Sequence, residues 1–241
     1  MNYALIFAGG TGQRMNARAK PKQFLELYGK PIILYTLEHF EEHAEVDGIL
    51  VVCLESYIRE LRNYINKAGY VKIIKIIPGG QTGHESIYLG LQALKEICQD
   101  DDIVLIHDGV RPFINANLIS ANIECAKTHG TAITIEKVNE SVVILDDERC
   151  IKSVPKRSKV HLAKAPQTFN YGFIWDMYQQ AREDRFFAID SAHMLSVYGK
   201  EMRTVESTSH NIKITAPADY FIFRALIEAI ENTQLLLGVD L

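Results

Sequence analysis

A chain of 241 residues with 47% hydrophobic content is long enough for one large domain and rich enough in apolar side chains to pack it. Its net charge of -4 at pH 7 argues against a sequence-independent nucleic-acid binder. No apolar run approaches the ~18 residues of a membrane span, and the start has no basic region followed by an apolar stretch and a cleavage site. A cytoplasmic protein without membrane or nucleic-acid partners is therefore expected. Its cysteines, Cys53, Cys98, Cys125 and Cys150, have no CxxC spacing and read as reduced thiols.

The first predicted strand, Ala4 to Phe7, breaks into Ala8-Gly9-Gly10-Thr11-Gly12-Gln13-Arg14-Met15 and reaches Lys22 through Pro21. A strand ending in a glycine-rich loop exposes backbone N–H groups, and two cations follow, which is what a polyphosphate needs. A Walker A loop would end in Gly-Lys-Ser/Thr, whereas Gln13-Arg14 follows Gly12. A dinucleotide fingerprint would place a third glycine where Arg14 stands and an acid about 20 residues on, where none sits at a strand tip. The glycines also suit a tight strand-to-helix turn with no ligand.

Downstream, strands are predicted at Ile49 to Leu54, Lys72 to Ile77, Ile103 to His107 and Thr131 to Glu136. Helical patterns lie near Ile32 to His43, Ser56 to Ala68, Glu85 to Gln99 and Asn117 to His129. Strand–helix alternation with nearly continuous apolar strands predicts an α/β fold with a mainly parallel sheet covered on both faces. Ligands in such sheets bind at the carboxyl ends of the strands. Three loops there carry polar or glycine-rich sequence: Ala8 to Lys22, Gly79 to Ser86 and Asp108 to Pro112. His39 and His43, at i and i+4 on one helix face without an HExxH motif, read as a solvated face.

From Val138 to Gln167 the alternation stops. Val142 to Ile151 reads as a hairpin with too little apolar surface to stand alone, so it is expected to protrude as an arm that packs on a second subunit. A helix around Tyr171 to Arg185, a strand near Met202 to Val205, the segment Asn211 to Thr215 and a helix from Pro217 to about Asn232 complete the pattern. Asp108, at a strand end, suits a hard divalent cation completed by phosphate oxygens and water, or an ion pair with Arg111. Arg14, Lys22 and Lys213 supply positive charge of the kind phosphoryl and nucleotidyl transfer require, although Lys213 also fits a strand residue pointing to solvent.

Taken in order, Ala8-Gly9-Gly10-x-Gly12-x-Arg14-Met15 with Pro21-Lys22-Gln23-Phe24, Gly79-Gly80 leading to Ser86, His107-Asp108-x-x-Arg111-Pro112, Pro166-Gln167-x-Phe169 and Asn211-Ile212-Lys213-Ile214-Thr215 resemble the IspD/TarI family of cytidylyltransferases. These join CTP to polyol phosphates, either 2-C-methyl-D-erythritol 4-phosphate in isoprenoid synthesis or D-ribitol 5-phosphate in teichoic-acid or capsule synthesis. The resemblance implies a Rossmann-like nucleotidyltransferase domain spanning residues 1–241, a homodimer built through an arm at 138–167, and magnesium. It further implies that Ala8, Gly9, Gly10, Thr11, Gly12, Gly80, Gln81 and Ser86 surround the nucleotide and that Arg14, Lys22 and Lys213 stabilise the charged phosphorus. Asp108 matches the magnesium ligand. Arg111, Ser141, Arg157 and Asp190 match the acceptor side, with Ser141 and Arg157 serving the neighbouring subunit. Three positions depart from the family pattern: Gly83 in place of an arginine, Ile189 in place of a threonine, and His210 where the methylerythritol branch has aspartate. The run from Asp102 to Ile114 resembles the ribitol branch, which makes D-ribitol 5-phosphate the expected acceptor and methylerythritol phosphate the alternative.

Overall fold

The computed structural model describes residues 1–9 and 20–232. Seven strands form one sheet. Five of them are β1 (Asn2–Ala8), β4 (Gly48–Cys53), β5 (Ile73–Pro78), β6 (Ile103–Asp108) and β7 (Thr131–Lys137), and the other two are β10 (His161–Asn170) and β11 (Thr204–Glu206). Their spatial order is β11-β7-β10-β6-β1-β4-β5. Neighbours run parallel except at β10, which is antiparallel to both β6 and β7. Two short ladders stand apart, β2 (Glu26–Leu27) with β3 (Lys30–Pro31), and β8 (Ile144–Leu145) with β9 (Ile151–Ser153).

Helices cover both faces, and the alternation of side chains along β1 shows why. Tyr3 and Leu5 point into a core shared with α3 (Gly83–Leu94), α5 (Tyr171–Glu183) and α6 (Ser191–Val197), where Leu91, Ile174 and Leu195 pack. Ala4 and Ile6 point the other way, toward α1 (Ile32–Glu41), α2 (Ile58–Ala68) and α4 (Ala116–His129), meeting Leu37, Leu61 and Ile119. A strand apolar at every position is the signature of a sheet buried on both sides. Each fully buried leucine or isoleucine among them contributes roughly 1.5–3 kcal/mol relative to exposure. A smaller core joins Ile214 and Val110 to Phe223 of α7 (Pro217–Glu231).

The stretch expected to be the arm, 138–167, divides in two. Its first part holds the exposed β8–β9 hairpin, with Ile144, Leu145, Ile151 and Val154 open to solvent. From His161 onward the chain belongs to the main sheet as β10. The four cysteines are free, and burial pushes the Cys53 thiol up to about 12, which makes it inert at neutral pH. Among the described residues no helix is long and apolar enough to cross a membrane.

Candidate active site

Strand register assembles the site. Phe7 of β1 pairs with Asp108 of β6, Ala8 with Cys53 of β4, and Cys53 with Pro78 of β5, so the loops that follow three strands leave the sheet along one edge. Two of these loops touch. A Cβ on Gly9 would lie 2.8 Å from Ser86 Oγ, and one on Gly79 would lie 3.2 Å from the Gly9 Cα, so the contact needs glycine on both sides. The glycine loop is also tied at its far end, since Gln23 Nε2 donates to the Ala8 carbonyl at 2.7 Å inside the core. Gly10, Thr11, Gly12 and Arg14 lie outside the described residues.

Beside Gly9, the β5–α3 loop is held from within. Ser86 Oγ accepts from Gly80 N at 3.2 Å and donates to the Thr82 carbonyl at 2.8 Å, so this buried hydroxyl shapes the Gly80–Gln81 turn. Thr82 caps α3 by accepting from Glu85 N, while Glu85 Oε2 takes the Gln81 N–H at 2.7 Å. Gln81 itself is exposed toward the edge.

Asp108 is buried at the end of β6 between two cations. Lys213 Nζ stands 2.5 Å from Oδ1 and Arg111 Nε 3.2 Å from Oδ2. Burial alone would raise this carboxyl, but Lys213 and Arg111 outweigh it and hold it down at about 2. The ion pair with Arg111 that the sequence left open is therefore present. Arg111 is itself buried and continues inward, its Nη1 donating to the Asn211 carbonyl at 2.8 Å. Lys213 lies in no strand, so the outward-pointing strand reading does not hold for it. Lys22, in the 3-10 turn Lys22–Phe24, donates to the Ile214 carbonyl at 3.0 Å, which brings the second cation to the same segment. His107, fully buried with Nε2 on the Arg111 carbonyl, is held down to about 3 by burial and is neutral at pH 7.

The remaining sequence candidates lie further out. Asp190 caps α6, with Oδ1 accepting from His193 N at 2.8 Å, next to Ile189, which is 88% exposed. Ser141 and Arg157 are exposed on the arm, where Arg157 Nη1 donates to the Asn139 carbonyl. The solvated face expected for His39 and His43 is corrected. His43 is buried on the Ala116 carbonyl and His39 bonds the Pro112 carbonyl at 2.8 Å, because α1 packs against the segment leading from β6 to α4 and its backbone acceptors need donors. Between α1, that segment and α7 is a cavity of about 570 Å³, lined by His39, Phe113, Leu118, Leu226 and Ile227, with neither Asp108 nor either lysine in its wall. Sequence reading placed Asn211 in the motif around Lys213 but gave it no role, and it missed Asp219 altogether, whose signal was its nearness to that motif in the chain.

A family model for 2-C-methyl-D-erythritol 4-phosphate cytidylyltransferase, IspD, matches residues 3–229. The chain belongs to this family. A CTP-dependent nucleotidyltransferase of the IspD/TarI type thus accounts for the glycine-rich sequence after β1 and for Lys22 and Lys213 meeting on the segment 213–214. Within the family the chain is 51% identical over 236 residues to the ribitol-5-phosphate cytidylyltransferase of Vibrio parahaemolyticus, covering 98% of this chain and 99% of that one. It is 34% identical over 227 residues to the 2-C-methyl-D-erythritol 4-phosphate cytidylyltransferase of Clostridium botulinum strain Langeland, covering 94% and 97%. The IspD-type fold is shared with the crystal structure of the 4-diphosphocytidyl-2C-methyl-D-erythritol synthase of Anaerococcus prevotii, with a TM-score of 0.84, 27% identity and coverage of 94% and 96%.

Proposed function

We propose that this enzyme transfers CMP from CTP to D-ribitol 5-phosphate, giving CDP-ribitol and pyrophosphate. The observation that carries the chemistry is the meeting of Lys22 and Lys213 on one short segment beside the glycine loop, with Asp108 between cations. An oxygen of the acceptor phosphate attacks the α-phosphorus of CTP, and the bond from that phosphorus to the bridging oxygen of pyrophosphate breaks. The second pKa of a phosphomonoester is near 6, so the nucleophile is already ionised and needs no general base. The neutral, buried His107 is consistent with that economy. What the chain must supply is cationic charge where two anions approach, and Lys22 and Lys213, with Arg14 on the loop, are the groups assigned to it.

Magnesium is the cofactor of this reading. One carboxylate joined by phosphate oxygens and water is an ordinary magnesium shell, and Asp108 offers hard oxygens at the edge where the triphosphate would lie. Among the described residues no three His, Cys, Asp or Glu side chains gather into a cage, which suits a metal that arrives with the nucleotide. Bound there, magnesium supplies neutralisation of the triphosphate and of the departing pyrophosphate.

The acceptor assignment leans on the greater identity to the ribitol-5-phosphate enzyme and on the residues at two positions that depart from the family pattern. Gly83 opens α3 without a charge, and Ile189 presents an exposed apolar side chain where a hydroxyl would serve a hydrogen-bonded acceptor. Pyrophosphate release at saturating CTP across four- to six-carbon polyol phosphates is the test. D-ribitol 5-phosphate is expected to exceed 2-C-methyl-D-erythritol 4-phosphate in kcat/KM by about tenfold or more, roughly 1.4 kcal/mol in transition-state binding. The opposite ranking by the same margin overturns the choice and favours the methylerythritol reaction.

The chain is read as one nucleotidyltransferase domain over residues 1–241, cytoplasmic and homodimeric. Support for the dimer comes from the arm, whose Ile144, Ile151 and Val154 are exposed on a hairpin too small to be stable alone. In that dimer Ser141 and Arg157 reach the acceptor phosphate in the partner subunit's site, with Asp190 and Arg111 lining the acceptor side within the chain. Mixing inactive Arg157→Ala and Lys22→Ala proteins is then expected to recover up to about a quarter of wild-type activity, since one site in each heterodimer holds both residues. No recovery after subunit exchange is verified by native mass spectrometry would place Arg157 in its own chain's site or outside catalysis.

A further inference from the structure

The segment 211–215 carries Lys213 yet forms neither helix nor strand, so no regular ladder sets where its groups point. It is anchored residue by residue instead. Asn211 Nδ2 donates to the Ala165 carbonyl at 2.8 Å, its own carbonyl takes Arg111 Nη1, and Ile214 N donates to the Val110 carbonyl at 2.9 Å. The last anchor is Asp219, in the first turn of α7. Its single oxygen Oδ2 accepts from Thr215 N at 2.7 Å, Thr215 Oγ1 at 2.9 Å and Ala216 N at 2.8 Å. Ala216 occupies the N-cap position and has no side-chain acceptor, so the start of α7 is ordered by Asp219 reaching back rather than by a capping side chain reaching forward.

That anchor lies next to both lysines. One peptide before Thr215 is the Ile214 carbonyl, which holds Lys22 Nζ, and one residue further is Lys213, whose ammonium sits on Asp108. We propose that Asp219 is a positioning residue for nucleotidyl transfer, fixing the 213–215 backbone so that Lys22 and Lys213 are presented together at the strand edge. The proposal rests on the assignment of both lysines to the phosphates. Burial would raise the Asp219 carboxyl, but the bonds from Thr215 and Ala216 and the charge of Lys22 hold it below its ordinary value, so it remains an anion at neutral pH. Displacement of a catalytic group by ~1 Å costs on the order of a hundredfold in rate, which is the scale at stake.

Asp219→Ala is compared with Asn115→Ala, which removes the cap of α4, where Asn115 Oδ1 accepts from Leu118 N, and touches neither lysine. Loss of either anchor is expected to lower Tm by about 2–4 °C. Only Asp219→Ala is expected to lower kcat, by about 10- to 100-fold, with KM for CTP held within about threefold. Asp219→Asn keeps an acceptor oxygen and is expected to recover most of that loss. Independently of turnover, reductive methylation read by mass spectrometry should modify Lys22 or Lys213 about threefold faster in Asp219→Ala and at the wild-type rate in Asn115→Ala. An Asp219→Ala protein with wild-type labelling and kcat within about twofold of normal overturns the proposal, as does an equal loss of kcat in Asn115→Ala. Near-normal turnover in both Lys22→Ala and Lys213→Ala would overturn the lysine assignment, and the catalytic role of Asp219 with it, whatever the labelling shows.

Discussion

Lys22→Ala is expected to lower kcat by ~10² or more while leaving the fold intact, because its charge acts where negative charge builds on the transferring phosphorus. Its described anchor, the Ile214 carbonyl at 3.0 Å, is a bond worth about 0.5–1.5 kcal/mol, a small share of a domain's stability. An ammonium carries three N–H donors and a full charge, the equipment a phosphate oxygen calls for. Lys22→Arg keeps the charge but spreads it over a planar fork, and is expected to restore binding better than turnover. Steady-state rates at saturating CTP, alongside circular dichroism melts, decide the matter. A Lys22→Ala enzyme of near-normal kcat would remove this residue from the catalytic set.

Asp108→Asn is expected to act on stability and on metal dependence together. Replacing the carboxylate leaves Arg111, a buried guanidinium, without its charge partner, which costs on the order of 3 kcal/mol. Lys213 is 40% exposed and turns to water at little cost, so the loss falls mainly on Arg111. The pH dependence has a definite sign. Folded Asp108 ionises at about 2, below the roughly 3.9 of an unfolded chain, so its contribution is fully present above about pH 4 and is lost as pH falls through about 2. Wild type should therefore lose on the order of 2 kcal/mol across that window that the asparagine variant does not lose. Urea midpoints from pH 5 to pH 2 measure the difference, and parallel curves for the two proteins would show that Asp108 is not held ionised by its neighbours. At neutral pH the magnesium concentration for half-maximal rate should rise several-fold, on the order of 1 kcal/mol. An unchanged value would place the metal elsewhere.

Much of the sheet was legible because β1 and β4 are apolar at almost every position and β6 through its first four residues, the pattern that two-sided burial produces. The register follows from it, and with it the edge where Ala8, Pro78 and Asp108 end. β10 was not legible as a ten-residue strand. Its first half, His161-Leu162-Ala163-Lys164, is largely exposed and mixed in polarity, and Pro166 interrupts the ladder signal, so it read as the return of the arm. α6, at seven residues, offers too few turns for periodicity to emerge. The cations were legible as residue types but not their partners. Arg111 and Asn211 are 100 positions apart in the chain, and nothing local says that the guanidinium turns inward to that carbonyl. His39 and His43 were misread for a related reason: helix α1 ends at Glu41, before His43, and the partners of the two rings, the Pro112 and Ala116 carbonyls, lie 73 positions further along the chain.

The antiparallel placement of β10 has a consequence for how this fold diversifies. The chain leaves the sheet at the end of β7 and re-enters through β10, directly alongside, so everything between Lys137 and His161 is an excursion between two strands already hydrogen-bonded to each other. Lengthening or rewriting such an excursion leaves the pairing on either side of it unchanged, and its closure entropy grows only slowly with length. Inheritance can thus rework the hairpin and the surface it offers while the nucleotide edge, built from β1, β5 and β6, stays fixed. Strand β10 alone lies between β7, from which the excursion departs, and β6, which carries Asp108.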